Sequence, residues 1–371
     1  MKTTIVSFDE LSRSDRADWL TACDRGDLWG HPCFRPEFTE VLTRVRPNTR
    51  VALLAHNGRR VGVLPLELSA DRTARAVGFG ISDFQGVIPL EPADRPASDG
   101  SDSSLPAACD ARWLLDECGL RRFRYDHWWT AGWPPTQPYE ERFASRFLDL
   151  QSGFAAFYQR RLQQGSTRLR KTGQLARKLA RQFGPLRFTL DDPDPQAARL
   201  LRLWKRAQYE RTGALDVLAI PWVDQALQHF AEIKTPQFAG CLMTLRAGER
   251  IVAVHFGLRS RQIVHWWFPT YDPQLANYSP GLVMLVEAAR ELAADGCRRI
   301  DLGKGEEPFK ASLTHDADEV AAGCWGASRW GCQMRQRGKQ LYGLARRIPG
   351  SVYLRNFSAA LHRRRKRNEF Q

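Results

Sequence analysis

Short runs of alternating apolar and polar residues alternate along the chain with stretches of helical spacing. "TIVSF" at residues 4–8 predicts a short strand. Ser14–Cys23 and Pro36–Val45 predict helices, the first capped by Ser14 and the second opening on a first-turn proline. "TRVALLAHNGRRVGVLPLEL" predicts two strands around His56-Asn57-Gly58, a strong hairpin signal. "TARAVGFGISDFQGVIPL" continues in extended form, and "EPADRPASDGSDSSLP" predicts a surface loop. A helix over Ala107–Cys118 and strands at "RRFRYDHWW" and "RFASRFLDL" follow. Residues 153–183 predict helix, and "LRFTLDD" predicts a strand. Helices are predicted over Asp194–Arg211 and Pro221–Ile233. "AGCLMTLRAGERIVAVHFGLRSRQIVHWWF" then predicts three strands. A loop, an apolar helix, the strand ending at Asp301 and a last strand at "DEVAAGCWGAS" complete the pattern.

The same order appears twice: strand, two helices, three antiparallel strands, helix, strand, strand. No sequence repeat accompanies it. The expected fold is therefore mixed α/β, built from two tandem modules with mixed sheets. The expected division is an N-terminal module at 1–150, a basic helical linker at 151–186, a C-terminal module at 187–328 and a basic helical tail at 329–371. Length agrees, since 371 residues suit two domains.

Charge sharpens this division. The net charge is +14, yet residues 151–188 hold nine Lys/Arg and no Asp/Glu. Residues 329–371 hold twelve Lys/Arg against one Glu. Everything else sums to about −6. Two basic segments thus flank a mildly acidic body, and such segments attract phosphates of nucleic acid, lipid or ligand; the plainer reading of each is a solvated helix face. Eight dispersed cysteines without CxxC pairs suggest small core residues in a reducing cytosol. No signal peptide and no run of about 20 apolar residues is found, so a cytoplasmic protein is expected, peripheral at most to the inner membrane face.

Candidate chemistry concentrates in residues 255–310. In "YDPQLANYSPGL", Pro280 suits the first helical position and Ser279 the N-cap. The amides of Gly281, Leu282 and Val283 would then face outward with the helix dipole behind them, a site for an anion. His255 and His265 flank a predicted hairpin. A loop at Arg259–Arg261 sets the two rings opposite each other as a proton-accepting pair; a two-residue loop separates them. The alternative is two histidines packed among Trp266, Trp267 and Phe256. Asp301 ends a strand beside a helix start, and Lys304, Glu306, Glu307 and Lys310 follow, where α/β folds place ligands. In the first half, Asp83, Phe84 and Gln85 lie between Gly80 and Gly86 and suggest a substrate contact. No Ser–His–Asp order, Walker loop or metal-ligand spacing stands out, so no metal is expected.

Three stretches resemble the GNAT acyltransferases of the CelD type, linked to cellulose and exopolysaccharide synthesis: "ISDFQGVI", "AVHFGLRSRQIVHWWFPTYDPQLANYSPGLVMLVEAAR" and "IDLGKGEEPFKASL". The tandem arrangement is similar to the Fem-type aminoacyl transferases. The resemblance implies acetyl-CoA or another acyl-CoA as cosubstrate, held by Tyr278, Ser279, Pro280, Gly281, Leu282 and Lys304. It implies His255, His265, Glu306 or Lys310 in catalysis, and Asp83, Phe84, Gln85, Tyr271 and Asp301 near the acceptor. The usual Gln/Arg-x-x-Gly-x-Gly/Ala coenzyme loop is absent. Phe309 stands where relatives commonly carry tyrosine, which leaves Tyr271 or Tyr278 to protonate a leaving thiolate. The implied acceptor is an amine or hydroxyl on a phosphorylated or lipid-linked sugar, with an anionic membrane surface as a further partner. A tRNA-dependent transferase and a non-catalytic subunit of a polysaccharide-synthesis complex are the alternatives.

Overall fold

The first predicted hairpin forms through residues that tolerate a left-handed backbone. Asn57 and Gly58 take φ of 46° and 80° and join β2 (Thr49–His56) to β3 (Arg59–Leu68). The computed structural model describes residues 2–25, 28–90, 110–132, 141–305 and 308–326. The expected basic tail and Glu306 lie outside them.

The remaining elements of the first half are β1 (Thr4–Val6), α1 (Arg13–Cys23), α2 (Pro36–Val45), β4 (Thr73–Ala76), β5 (Ile88–Pro89), α3 (Ala111–Glu117), β6 (Arg122–Trp129) and β7 (Glu141–Asp149). A linker supplies α4 (Gly153–Gln163) and α5 (Thr167–Phe183). The second half holds β8 (Leu186–Thr189), α6 (Pro195–Thr212), α7 (Pro221–Glu232), β9 (Phe238–Ala247), β10 (Arg250–Ser260) and β11 (Ile263–Tyr271). It ends with α8 (Pro280–Ala294), β12 (Arg299–Lys304), α9 (Pro308–Leu313) and β13 (Ala317–Trp325). The repeated element order expected from the sequence is present. Two local expectations change. Helix α1 is capped by Ser12, because Ser12 and Asp15 satisfy each other's amides in a capping box, so Ser14 lies inside the helix. The basic stretch breaks at Gly165, and Ser166 caps α5.

The strands join into one mixed sheet of order β1-β2-β3-β4-β6-β13-β7-β12-β11-β10-β9-β8, with β5 on β3. Read from either edge the order is the same, provided the two halves exchange their last strands. Strand β13 pairs with β6 of the first half, and β7 pairs with β12 of the second. In each half the strand after the hairpin runs parallel to the strand after the helix: β4 with β6, and β11 with β12. This strand exchange is not visible in the sequence, since nothing in either last strand specifies its partner.

The second helices of the two halves, α2 and α7, pack together on one face of the sheet. Phe38 and Phe230 stack at 5.3 Å between ring centroids, and both are fully buried. Each such ring contributes about 1.5–3 kcal/mol by leaving water. On the other face, Leu169 and Leu179 of α5 pack with Val283, Leu285, Ala288 and Leu292 of α8. Among the described residues no helix is long and apolar enough to cross a membrane.

Candidate active site

Strands β11 and β12 stay in register from Ile263 opposite Arg299 to His265 opposite Asp301. Their pairing stops there, although β11 continues to Tyr271. The cause lies in β12: Gly303 has φ +68°, and the register against β7 shifts between Asp301 and Lys304. The sheet therefore opens into a wedge with His265 and Asp301 at its apex. Its mouth points to the start of α8, because that helix follows the far end of β11. The equivalent wedge between β4 and β6 is filled. Gln85 bridges to Trp128, its amide donating to the His127 carbonyl at 2.9 Å while its carbonyl accepts from Trp129 at 2.9 Å. Among the described residues no such bridging segment is found between β11 and β12.

A buried polar cluster gathers at the apex from both halves. His31, His265 and Asp301 are fully buried. Asp83 lies between two imidazoles: Oδ1 is 3.3 Å from His127 Nε2 and Oδ2 is 3.5 Å from His265 Nε2. Its side chain is 24 % exposed, so it connects the cluster to solvent. The opposite nitrogen of His127 is 3.3 Å from Asp126 Oδ1. The two motifs "ISDFQG" and "IDLGKG" meet here. A side chain at Gly303 would overlap Asp83 Oδ2, and Lys304 Nζ donates to the Asp126 carbonyl at 2.9 Å. Sequence reasoning missed His31 and His127; neither sits in a recognisable motif, and only the fold brings them in.

Protonation follows from burial. Desolvation lowers His265, against the pull of Asp83 and Asp301. Desolvation also holds His31 well below the ordinary imidazole range, with His265 and Arg299 adding to it. Burial alone would raise Asp126, but His127, Lys304 and Gln85 together keep it low and ionised.

The expected residues divide as follows. Because the turn has two residues, Arg261 and Gln262, Leu258 rather than His255 stands opposite His265. His255 is enclosed: Nε2 accepts from the Trp267 amide at 2.9 Å, Nδ1 meets Met243 Sδ at 3.3 Å, and the ring stacks on Trp266. No free nitrogen is left for proton transfer, so His255 is a packed core residue. Asp301 is saturated as well. It accepts from Arg299 at 2.6 and 3.2 Å and from the Gly303 amide at 2.8 Å, with Ser145 at 3.4 Å, so it shapes the bulge rather than touching an acceptor. Phe84 and Gln85 are buried, Phe84 against His31 and Gln85 on Asp126, which leaves Asp83 alone of its trio at the cleft. The Lys310 ammonium donates to the carbonyls of Lys304 at 3.0 Å and Gly303 at 3.3 Å, bracing the same bulge.

The start of α8 also differs from expectation. Ser279 takes φ 49°, ψ 51°, and its hydroxyl caps nothing. Instead its carbonyl accepts from the amides of Leu282 at 2.9 Å and Val283 at 3.1 Å. The left-handed backbone at the end of the preceding turn is the reason, since an N-cap side chain reaches its amides from an extended backbone. The Gly281 amide has no acceptor among the described residues, and Tyr278 to Leu282, Pro280 apart, are half-buried rather than sealed. Tyr271 packs on Gly281. The Tyr278 hydroxyl donates to Gln182 of α5, away from the wedge.

A cation at the apex fits poorly. His31, His265 and Asp301 bring ligand-capable atoms within 4.8 Å of one another. But the His31 Nδ1 lone pair accepts from the Cys33 amide at 3.2 Å, which puts the proton of the neutral ring on Nε2, and Asp301 is already saturated.

Gly303→Ala should expose how closely the motifs are fitted. The left-handed backbone costs a non-glycine about 1–2 kcal/mol, and the new methyl would push Asp83 off both imidazoles. A lower melting temperature with a larger proportional loss of turnover is expected; unchanged turnover would show that the Asp83 position is not critical.

Residues 166–311 match the family model described as an acetyltransferase (GNAT) domain. The match takes in His265, the α8 start and Lys310, but not His31, Asp83 or His127. No curated protein matches the sequence significantly. Among solved structures, FemX is similar over 86% of this chain and 97% of its own, with 9% identity and a TM-score of 0.53. A conserved protein of unknown function from Bacteroides thetaiotaomicron VPI-5482 is similar over 84% and 97%, with 14% identity and a TM-score of 0.50. A tandem GNAT protein from the clavulanic acid biosynthesis pathway matches over 87% and 98%, with 13% identity and a TM-score of 0.43. The first two likenesses show a shared fold.

Proposed function

We propose that this protein is an acyltransferase that moves an acyl group from acyl-CoA to an amine or hydroxyl acceptor in cell-envelope or exopolysaccharide synthesis. The observation that carries this reading is the loss of pairing between β11 and β12 beyond His265 and Asp301, on the side where β11 runs toward the α8 start, with a neutral imidazole at the apex. A pantetheine-like chain lies along the wedge with its thioester near His265 and its phosphates at the Gly281 amide, where the helix dipole favours negative charge. The acceptor attacks the thioester carbon; its bond to that carbon forms and the C–S bond breaks. The acceptor's proton passes to a ring nitrogen of His265, whose Nε2 lies 3.5 Å from Asp83 Oδ2. The departing thiolate takes a proton from Tyr271 or solvent. Exopolysaccharide as the setting rests on the resemblance of the three motifs.

Gly281→Asp tests the donor site. A carboxylate at this position occupies the place of the phosphate and presses on Tyr271, whose ring a Cβ already meets at 3.2 Å. Coenzyme A should raise the melting temperature of the wild type, as any ligand selective for the folded state does, and should leave the variant unmoved. An equal shift in both would remove the α8 start from the donor site.

One observation favours a second reading, transfer from aminoacyl-tRNA. Helix α5 touches the turn before α8 and also α9. It exposes Arg168, Arg170, Lys171, Arg177, Lys178 and Arg181, none in an ion pair among the described residues. If tRNA rather than CoA binds, with an affinity falling steeply with salt, the second reading replaces the first.

A further inference from the structure

The apex of the wedge contains a donor and an acceptor that the cluster itself leaves unused. His31 Nδ1 caps the turn Pro32–Phe34 by accepting from the Cys33 amide. Burial keeps the ring neutral, so Nε2 carries the proton and is a donor of fixed sense. Nε2 has no acceptor among the described residues, and neither nitrogen of His265 has a hydrogen-bond partner there. The two rings meet edge to face at 5.0 Å, and a ring nitrogen of each lies within 4.8 Å of the other. Buried polar atoms are rarely left unpaired. One small oxygen in reach of His31 Nε2 and of a His265 nitrogen would satisfy both.

We infer that this oxygen belongs to the acceptor and that the acceptor is a hydroxyl, not an amine. The inference rests on the acyl-transfer reading above. A hydroxyl oxygen has two lone pairs and one proton. It accepts from His31 Nε2–H with one lone pair, attacks the thioester carbon with the other, and passes its proton to His265. A neutral amine has a single lone pair. Held by His31 it cannot attack, and attacking it leaves the His31 donor unpaired. Burial adds to the discrimination, because an amine arrives as an ammonium and must lose its charge before entering a dry site. The hydroxyl enters beside Asp83, the solvent-reaching member of the cluster. Atoms balance as an O-acylation: the O–C bond forms, the C–S bond breaks, the hydroxyl proton goes to His265, and the thiolate is released.

The test uses the full chain, acetyl-CoA, and paired sugars that differ only by a hydroxyl or an amino group at one carbon. Free thiol release and mass spectrometry of the product are the readouts. His31→Asn keeps a side-chain oxygen that can cap the Cys33 amide but removes the Nε2–H donor. O-acylation should dominate in the wild type. In His31→Asn its rate should fall about tenfold, the worth of one hydrogen bond, with acetyl-CoA still raising the melting temperature. If acetyl-CoA binds and the amino sugars are the ones acylated, the inference is overturned while the acyltransferase reading stands. If acetyl-CoA produces no thermal shift in either protein, the reading itself fails. Should His31→Asn not fold, the wild-type preference between the paired sugars decides the question alone.

Discussion

His265→Gln should lower kcat by about 10²- to 10⁴-fold, the usual contribution of a positioned proton acceptor, while coenzyme binding by thermal shift is retained. Glutamine has similar polarity and reach but takes up no proton. The pH profile separates this role from a packing role. His265 acts as the neutral ring, and burial lowers its pKa below the ordinary imidazole range despite Asp83 and Asp301. The wild-type kcat should therefore be level through neutral pH and fall only as pH drops through that depressed value. The variant should lose this acid limb along with most of its rate. A variant that keeps either the rate or the limb would assign the proton to another group.

The second large effect is on stability in mild acid. His31, His255 and His265 are fully buried, and desolvation lowers the pKa of each. In the unfolded chain the same rings take up protons near pH 6.5. Between that value and their depressed folded values the unfolded state binds more protons than the native state, so stability falls as pH falls. Each ring contributes about 1.4 kcal/mol per pH unit within its window. All three act in the same direction, against the roughly 5–15 kcal/mol typical of a domain. Melting temperature should decline clearly from about pH 7 to about pH 5. The depressed carboxylate Asp126 loses its contribution only below the ordinary carboxylate range, so it does not produce this slope. A level melting temperature across the interval would mean that these rings are charged or hydrated in the native state.

The sequence showed the element types and their doubled order because those depend on local periodicity and on signals such as Asn57-Gly58, Pro36 and Pro280. It also singled out the stretches around Asp83 and Asp301, which the fold brings together. It did not place the side chains within them, because that depends on what each side chain meets in the fold. His255 and His265 look alike along the chain. A two-residue turn separates them, one into a stack on Trp266 and the other toward Asp83. Along the sequence Asp301 and Asp83 both read as acidic residues at predicted strand ends. Four donors saturate the first, and the second reaches solvent. Ser279 has the right residue type for a cap but the wrong backbone to act as one.

The sequence by itself determined two equivalent sets of strands and helices, joined by a cationic helical stretch, since period, turn chemistry and charge are written residue by residue. Only the tertiary structure decided which wedge is bridged by a further segment, which strands change partner, and that His31 and His127 stand beside residues far away in the chain. Those outcomes depend on hydrogen bonds and contacts between distant segments, which no window of sequence contains.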